Sequence, residues 1–222
     1  MRTFDEIFEI AAERNGGKRA LNNLLTIPKP IAELENIGDD RWLSCMTKCI
    51  FQAGFNWKVV ENMWPGFEEA FHGFDIGRCT MLNDEDFDTL IANKKIVRHG
   101  TKIRAVQTNA IFIAQLAQQH DSFAKFISQW PTSDYYGLLT MLKKQGARLG
   151  GNTGTYFLRF MGVDGFILSR NVTARLIAEG IIDKSPTSQK AMSAVQDAFN
   201  TWHQQSNKPY THISRVLAMS TG

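Results

Sequence analysis

Residues 143–162 read KKQGARLGGNTGTYFLRFMG. One helical run, Tyr135 to Lys144, ends as the stretch begins, and a second, YFLRFMG, follows it. Between them lies the pattern apolar–Gly–x–x–Thr–small: Leu149, Gly150, Gly151, Asn152, Thr153, Gly154. Glycines here let the backbone take left-handed angles and come close to an anion. The amides that open the second helix, and its dipole, favour negative charge, so phosphate is the natural ligand.

The sequence argues against a nucleotide-binding loop, because there is no G-x-x-x-x-G-K-[ST] lysine and no preceding strand. Two readings stay open on the motif alone. One is an ordinary helix connection that needs glycine for its backbone angles. The other is a helix-hairpin-helix that grips a DNA phosphate without reading sequence.

Working outward, the chain reads as helices throughout. Phe4, Ile7, Phe8 and Ala11 form an apolar stripe that Asn15-Gly16-Gly17 ends. Ala20, Leu21, Leu24 and Leu25 form a short helix stopped before Pro28 and Pro30. Asp39 or Asp40 is placed to cap the next one, with Trp42, Met46, Cys49 and Ala53 on one face. Pro65 in the WPG triplet suits a first turn, and Asn83 with Asp86 resembles a capping box. Ile103, Val106, Ala110, Ile113 and Ala117 form a clear helical ladder. Ser185-Pro186 and Pro209 are read as opening the last two helices, and Gly165 to Leu168 is too short a strand signal to found a sheet. The fold class is all-α.

The 222 residues and 43% hydrophobic content suffice for a core in one domain or two small lobes. No apolar run reaches the roughly 18 residues of a membrane span, and the acids in MRTFDEIFEI argue against a secretory signal. Three cysteines, at 45, 49 and 79, are too few for a disulfide framework, so a reducing, cytoplasmic setting is expected. Net charge of +3 permits nucleic acid without demanding it.

A second stretch, FQAGFNW at 51–57, raises its own question. Its loop residues are aromatic where polar ones are usual. Either Phe51, Phe55 and Trp57 are buried packing, or rings are held up for something flat to stack on. Trp42, Trp64, Trp130 and Trp202 lie on helical stripes or at helix ends, where core is the default, although Trp42 shares a face with Cys49 and is placed to border a pocket.

In order along the chain these stretches resemble the DNA-3-methyladenine glycosylase I family of helix-hairpin-helix DNA glycosylases. Gln52, Ala53, Gly54 and Trp57 match that family's Q-A-G-L-S-W loop. Phe71, Phe74 and Asp75 match its F-x-x-F-D segment. Ile96, Arg98, Lys102, Ile103, Ala105, Asn109 and Ala110 match its I-I-R-x-x-x-K-I-x-A…N-A run. The hairpin and FILSRNVTARL at 166–176 follow. The resemblance covers about residues 40–176. It implies a two-lobed helical architecture over residues 1–222, with 1–39 and 177–222 packing together as the second lobe.

The resemblance further implies base-excision repair: removal of alkylated purines, chiefly 3-methyladenine, from double-stranded DNA by base flipping. Trp57 would stack on the base, with Gln52, Cys49 and Trp42 around it. Phe55 would wedge the duplex. Gly150, Gly151, Thr153, Gly154, Arg98 and Lys102 would hold DNA. Cys49 stands where the family has a base-reading glutamate, and Ser169 where superfamily relatives have a catalytic aspartate. Asn171 and Asp164 are the nearest polar and acidic alternatives, so the catalytic candidates are Asn171, Asp164 and Ser169. Asn152 replaces the lysine of strand-nicking relatives, which implies base removal without nicking. The family's zinc ligands have no counterparts, so no zinc and no other cofactor is expected, with room for a monovalent cation at the hairpin. The expected protein is a monomer of cytoplasmic, bacterial type, nucleoid-associated when on DNA and not bound to membrane. The alternative is a catalytically inactive DNA-binding or damage-sensing protein on the same scaffold.

Overall fold

The computed structural model describes residues 1–221. Fifteen α-helices and two single 3-10 turns make up its regular structure, and no strand occurs among the described residues. The helices are α1 Phe4–Arg14, α2 Lys18–Asn23, α3 Ile31–Glu35, α4 Asp39–Gln52, α5 Trp57–Asn62, α6 Trp64–Ala70, α7 Ile76–Thr80 and α8 Asp84–Ala92. They continue with α9 Gly100–His120, α10 Phe123–Ser128, α11 Tyr135–Gln145, α12 Asn152–Met161, α13 Arg170–Ala178, α14 Gln189–Ser206 and α15 Tyr210–Met219. No helix is long and apolar enough to cross a membrane. The chain divides into two compact units.

The first unit contains residues 1–29, 131–137 and 162–222. It therefore takes in residues 162–176, which the sequence grouped with the matched block, while residues 30–39 fall in the other unit. The reason is local. Segment 163–169 has no regular structure and pairs with no strand, and its backbone bonds side chains of α15 instead. The Ile167 amide donates to Ser214 Oγ at 3.0 Å, and the Gly165 amide to Thr211 Oγ1 at 3.4 Å. Gly165 is required there, because a Cβ would strike the Tyr135 ring. Phe166, Phe199, Trp202 and Tyr210 form the buried aromatic centre, with Phe166 stacked on Phe199 at 4.4 Å.

A buried ion cluster closes the same unit. Glu179 accepts from the Arg2 amide (2.8 Å), from the Arg2 guanidinium (2.9 Å) and from Arg175 (3.2 Å). Arg175 also donates to the Ser220 hydroxyl and carbonyl. Burial alone would push the Glu179 carboxyl up, but these bonds outweigh it and hold it below the usual carboxylate range.

The second unit contains residues 30–130 and 138–161. Its centre is α4, packed against α9 and α12. Trp42 is fully buried here, edge-on to Phe123 (5.6 Å) and Phe157 (5.8 Å). It is core, not the wall of a pocket, since large rings at helix crossings bury the most apolar area. Trp64, Phe67, Phe71 and Phe74 form a stack of near-parallel rings. Arg41 locks α4 to α6 by two bonds to Glu68, at 2.9 and 3.0 Å.

Two expected caps differ. Gly38 precedes α4 without a side-chain cap, and Asp39 instead accepts from the Phe123 amide at 3.1 Å, joining α4 to the start of α10. Ser188, rather than Ser185, caps α14, because its hydroxyl is the one that reaches the Ala191 amide. The Asn83–Asp86 capping box and the stop at Asn15 are present as read.

The Glu179 cluster sets an acid limb for stability. Its carboxyl is held lower in the fold than in the unfolded chain. The stabilisation is therefore present above the unfolded value of about 4.3 and lost as pH falls through the folded one. Glu179→Gln should lose about 3 kcal/mol at pH 7, because Arg175 stays buried without its partner. Urea titrations at pH 7 and pH 3 should show the gap between the two proteins narrowing at the lower pH.

Candidate functional site

The FQAGFNW loop separates into two halves. Phe51 is fully buried against Phe67 at 4.7 Å. Gln52 ends α4 and is buried, its Oε1 without a hydrogen-bond partner among the described residues. Gly54 has φ +82, which glycine alone adopts without strain. Asn56 caps α5 by accepting from the Lys58 amide at 3.0 Å, and that cap makes Trp57 the first residue of α5. Beyond the glycine the aromatic residues face water: Phe55 is 39% and Trp57 45% exposed.

Lys102, on α9, holds the loop from beneath. It is 3% exposed, and its ammonium donates to the carbonyls of Ala53 (2.6 Å) and Phe51 (3.3 Å). This cation at the C-terminus of α4 satisfies carbonyls that a helix end leaves free. The Phe55 ring lies 4.5 Å from the same ammonium and edge-on to His99. Burial first, and Arg148 second, push Lys102 below the usual lysine range. Two of its three donors are thus committed to the loop, and the same residue lines the hairpin pocket. Arg98 is exposed and free of such a duty.

The hairpin runs from α11 to α12. Asn109, fully buried and seven residues beyond Lys102 on α9, grips its turn twice. It accepts from the Ala147 amide at 2.7 Å and donates to the Ala147 carbonyl at 3.1 Å. Gly154 lies so close to the Leu149 carbonyl that a Cβ would collide with it. Gly151 has φ +60, and Arg148 has φ +61, an uncommon state for a residue with a side chain. Ile50, Ala53, Lys102, Arg148, Gly150 and Thr153 line a pocket of about 330 Å³ beside the first turn of α12. Two cationic side chains and free helix-opening amides suit an anion of phosphate size.

Cys49, in the last turn of α4, is buried and uncharged. A hydrogen bond with Cys45, and then burial, push its thiol far above the ordinary cysteine range. Among the described residues no group of three or more His, Cys, Asp or Glu is placed to hold a metal.

Asn171, Asp164 and Ser169 belong to the first unit, and each has a local task. Asp164 accepts from the Tyr210 and Thr211 amides at 3.1 and 2.8 Å, capping α15. Ser169 caps α13 through the Val172 amide. Asn171 donates to the Ala218 carbonyl at 3.3 Å. Arg148, Asn109, Tyr156 and Phe160 were not among the site residues read from the sequence. Two carried a signal: Asn109 lies in the matched run on α9, and Arg148 is a cation inside a glycine-rich turn.

Residues 35–145, half of the chain, match the family model for methyladenine glycosylase. The match takes in the loop, α9 and α11 and stops just before the hairpin turn, short of the 176 expected. DNA-3-methyladenine glycosylase 1 of Escherichia coli is 29% identical, the match covering 50% of this chain and 70% of that protein. In fold, the chain is similar to 3-methyladenine DNA glycosylase I of Staphylococcus aureus: TM-score 0.51, 22% identity, 60% of this chain and 86% of that one. It is also similar to the 8-oxoguanine glycosylase/lyase of Methanocaldococcus jannaschii in complex with DNA containing 8-oxoguanine. That likeness has TM-score 0.52 at 14% identity and covers 96% of this chain and 95% of the other. Both structures support the all-α glycosylase architecture.

Asn109→Ala should unfasten the turn. It removes two half-buried hydrogen bonds to the Ala147 amide and carbonyl, at a cost of about 1–3 kcal/mol. Arg148→Gly should raise stability by about 1 kcal/mol by relieving the left-handed backbone. Denaturant midpoints of the two variants check both signs.

Proposed function

The chain belongs to the methyladenine glycosylase family, and from that premise we propose that it is a DNA glycosylase that hydrolyses the N-glycosidic bond of alkylated purines of the 3-methyladenine type. The observation that carries the proposal is the exposed indole of Trp57, held up behind Gly54 in the same unit as the cationic hairpin pocket. An exposed tryptophan at the start of a capped helix is a surface for a flat ligand.

A base inside the duplex is out of reach, so the lesion would flip out and lie against Trp57. Phe55, seated on the Lys102 ammonium, would fill the gap left in the stack. The first turn of α12, with Arg148, would hold a backbone phosphate. A purine methylated on a ring nitrogen is positively charged, and its bond to the sugar is already weakened. Departure then depends on stacking and desolvation rather than on a strong acid. A cation over an aromatic face gains about 0.5–2 kcal/mol. Water would complete the reaction at the sugar carbon. Asn152 offers no amine for an imine, so the strand would stay intact.

A second reading is favoured by one observation. Asp164 and Ser169 are spent on helix caps and Cys49 carries no charge, so the scaffold could bind damaged DNA without cleaving it.

DNA treated with a methylating agent separates the two. The glycosylase releases free 3-methyladenine, detected by chromatography; the binding module retains the DNA and releases none. Trp57→Ala should slow release about tenfold, and Asp164→Asn should leave it unchanged if capping is the residue's whole role. Borohydride should trap no covalent adduct. Arg148→Gly should weaken DNA binding on all sequences and lower the salt slope by about one.

A further inference from the structure

Tyr156 and Phe160 lie one turn apart on α12, the helix that the hairpin opens. Their neighbours Phe157, Leu158 and Met161 are buried, yet Phe160 is 49% exposed. Both rings meet Trp57 at right angles. Tyr156 is 5.7 Å away at 89°, and Phe160 is 6.0 Å away at 83°. They also touch each other at 5.8 Å. Trp57 is the first residue of α5, so no earlier turn of its own helix confines its rotamer. Two perpendicular neighbours from another helix do so.

The geometry points to Tyr156 and Phe160 as positioning residues for Trp57, holding the indole plane in the orientation that accepts a purine ring. This rests on the reading that Trp57 receives the base. Edge-to-face contacts are directional, so each ring limits how far the indole can turn. An indole held still before binding has less freedom to lose when the base arrives. The same helix begins at the anion pocket. Eight residues at 1.5 Å each place Phe160 roughly 12 Å along it from Asn152. One rigid element thus spaces the phosphate grip from the ring that orients the base platform.

The full-length protein tests this with free 3-methyladenine as the probe. Phe160→Leu removes the directional contact while keeping apolar bulk. It should weaken binding of the free base about two- to tenfold. Trp57 is the one exposed tryptophan of the five. Acrylamide quenching of its emission, assigned with Trp57→Phe, should therefore rise in Phe160→Leu. The melting temperature should move little, because the ring is half open to water. Phe160→Tyr should restore both affinity and quenching. Tyr156→Leu should repeat the first result and serves if Phe160→Leu fails to fold. Wild-type affinity and wild-type quenching in both leucine variants would overturn the inference. A Trp57→Ala protein that still binds the base as wild type, or a wild-type protein that binds none, overturns the base-platform reading and this inference with it. Loss of binding in Trp57→Ala with none in the leucine variants removes this inference alone.

Discussion

Two polar side chains on one face of α9 hold the candidate site together. Lys102 and Asn109 are seven residues apart, two helical turns, so they project the same way. Lys102 ties down the last carbonyls of α4 and supports the FQAGFNW loop. Asn109 ties down the turn of the hairpin. Backbone groups at helix ends and turns must find partners once buried. Here the partners come from one 21-residue helix, which sets loop and hairpin in a fixed relation.

That arrangement explains the division of labour among the aromatics. Phe51, before the glycine, packs inward and anchors the loop. Phe55 and Trp57, after it, are turned outward by the left-handed Gly54 and by the Asn56 cap. Their exposure gives up apolar burial of order 1 kcal/mol or more per ring. A loop whose foundations are buried and whose rings are wet suits recognition of a flat, apolar-faced ligand such as a base. The hairpin pocket is cationic, lined by Lys102 and Arg148, and Cys49, which does not line it, is a neutral thiol. The chemistry left to this chain is stacking, exclusion of water and phosphate contact.

The first unit supplies a different lesson. The carboxylate and hydroxyl nearest the hairpin in sequence, Asp164 and Ser169, each bond backbone amides at a helix start. Asp164 and Ser169 end up at helix N-termini because a short acceptor side chain there satisfies orphaned amides, two for Asp164 and one for Ser169. Proximity along the chain to a missing catalytic residue carried no information about which backbone groups needed a partner.

The order of motifs along the chain was enough for the all-α class, the hairpin and the family, since helical periodicity, glycine turns and the loop pattern are local properties. It also marked Trp57 and Phe55 as unusual, because aromatic residues beside Gly54 conflict with ordinary loop chemistry. Tertiary structure alone decided what each polar residue does. Lys102 reads as a surface cation until α4 ends against it, and Trp42 reads as a pocket wall until Phe123 and Phe157 close on it. Tyr156 and Phe160 are indistinguishable from core on a helical wheel. Burial, partner choice and ring orientation depend on residues distant in sequence, and no local pattern encodes them.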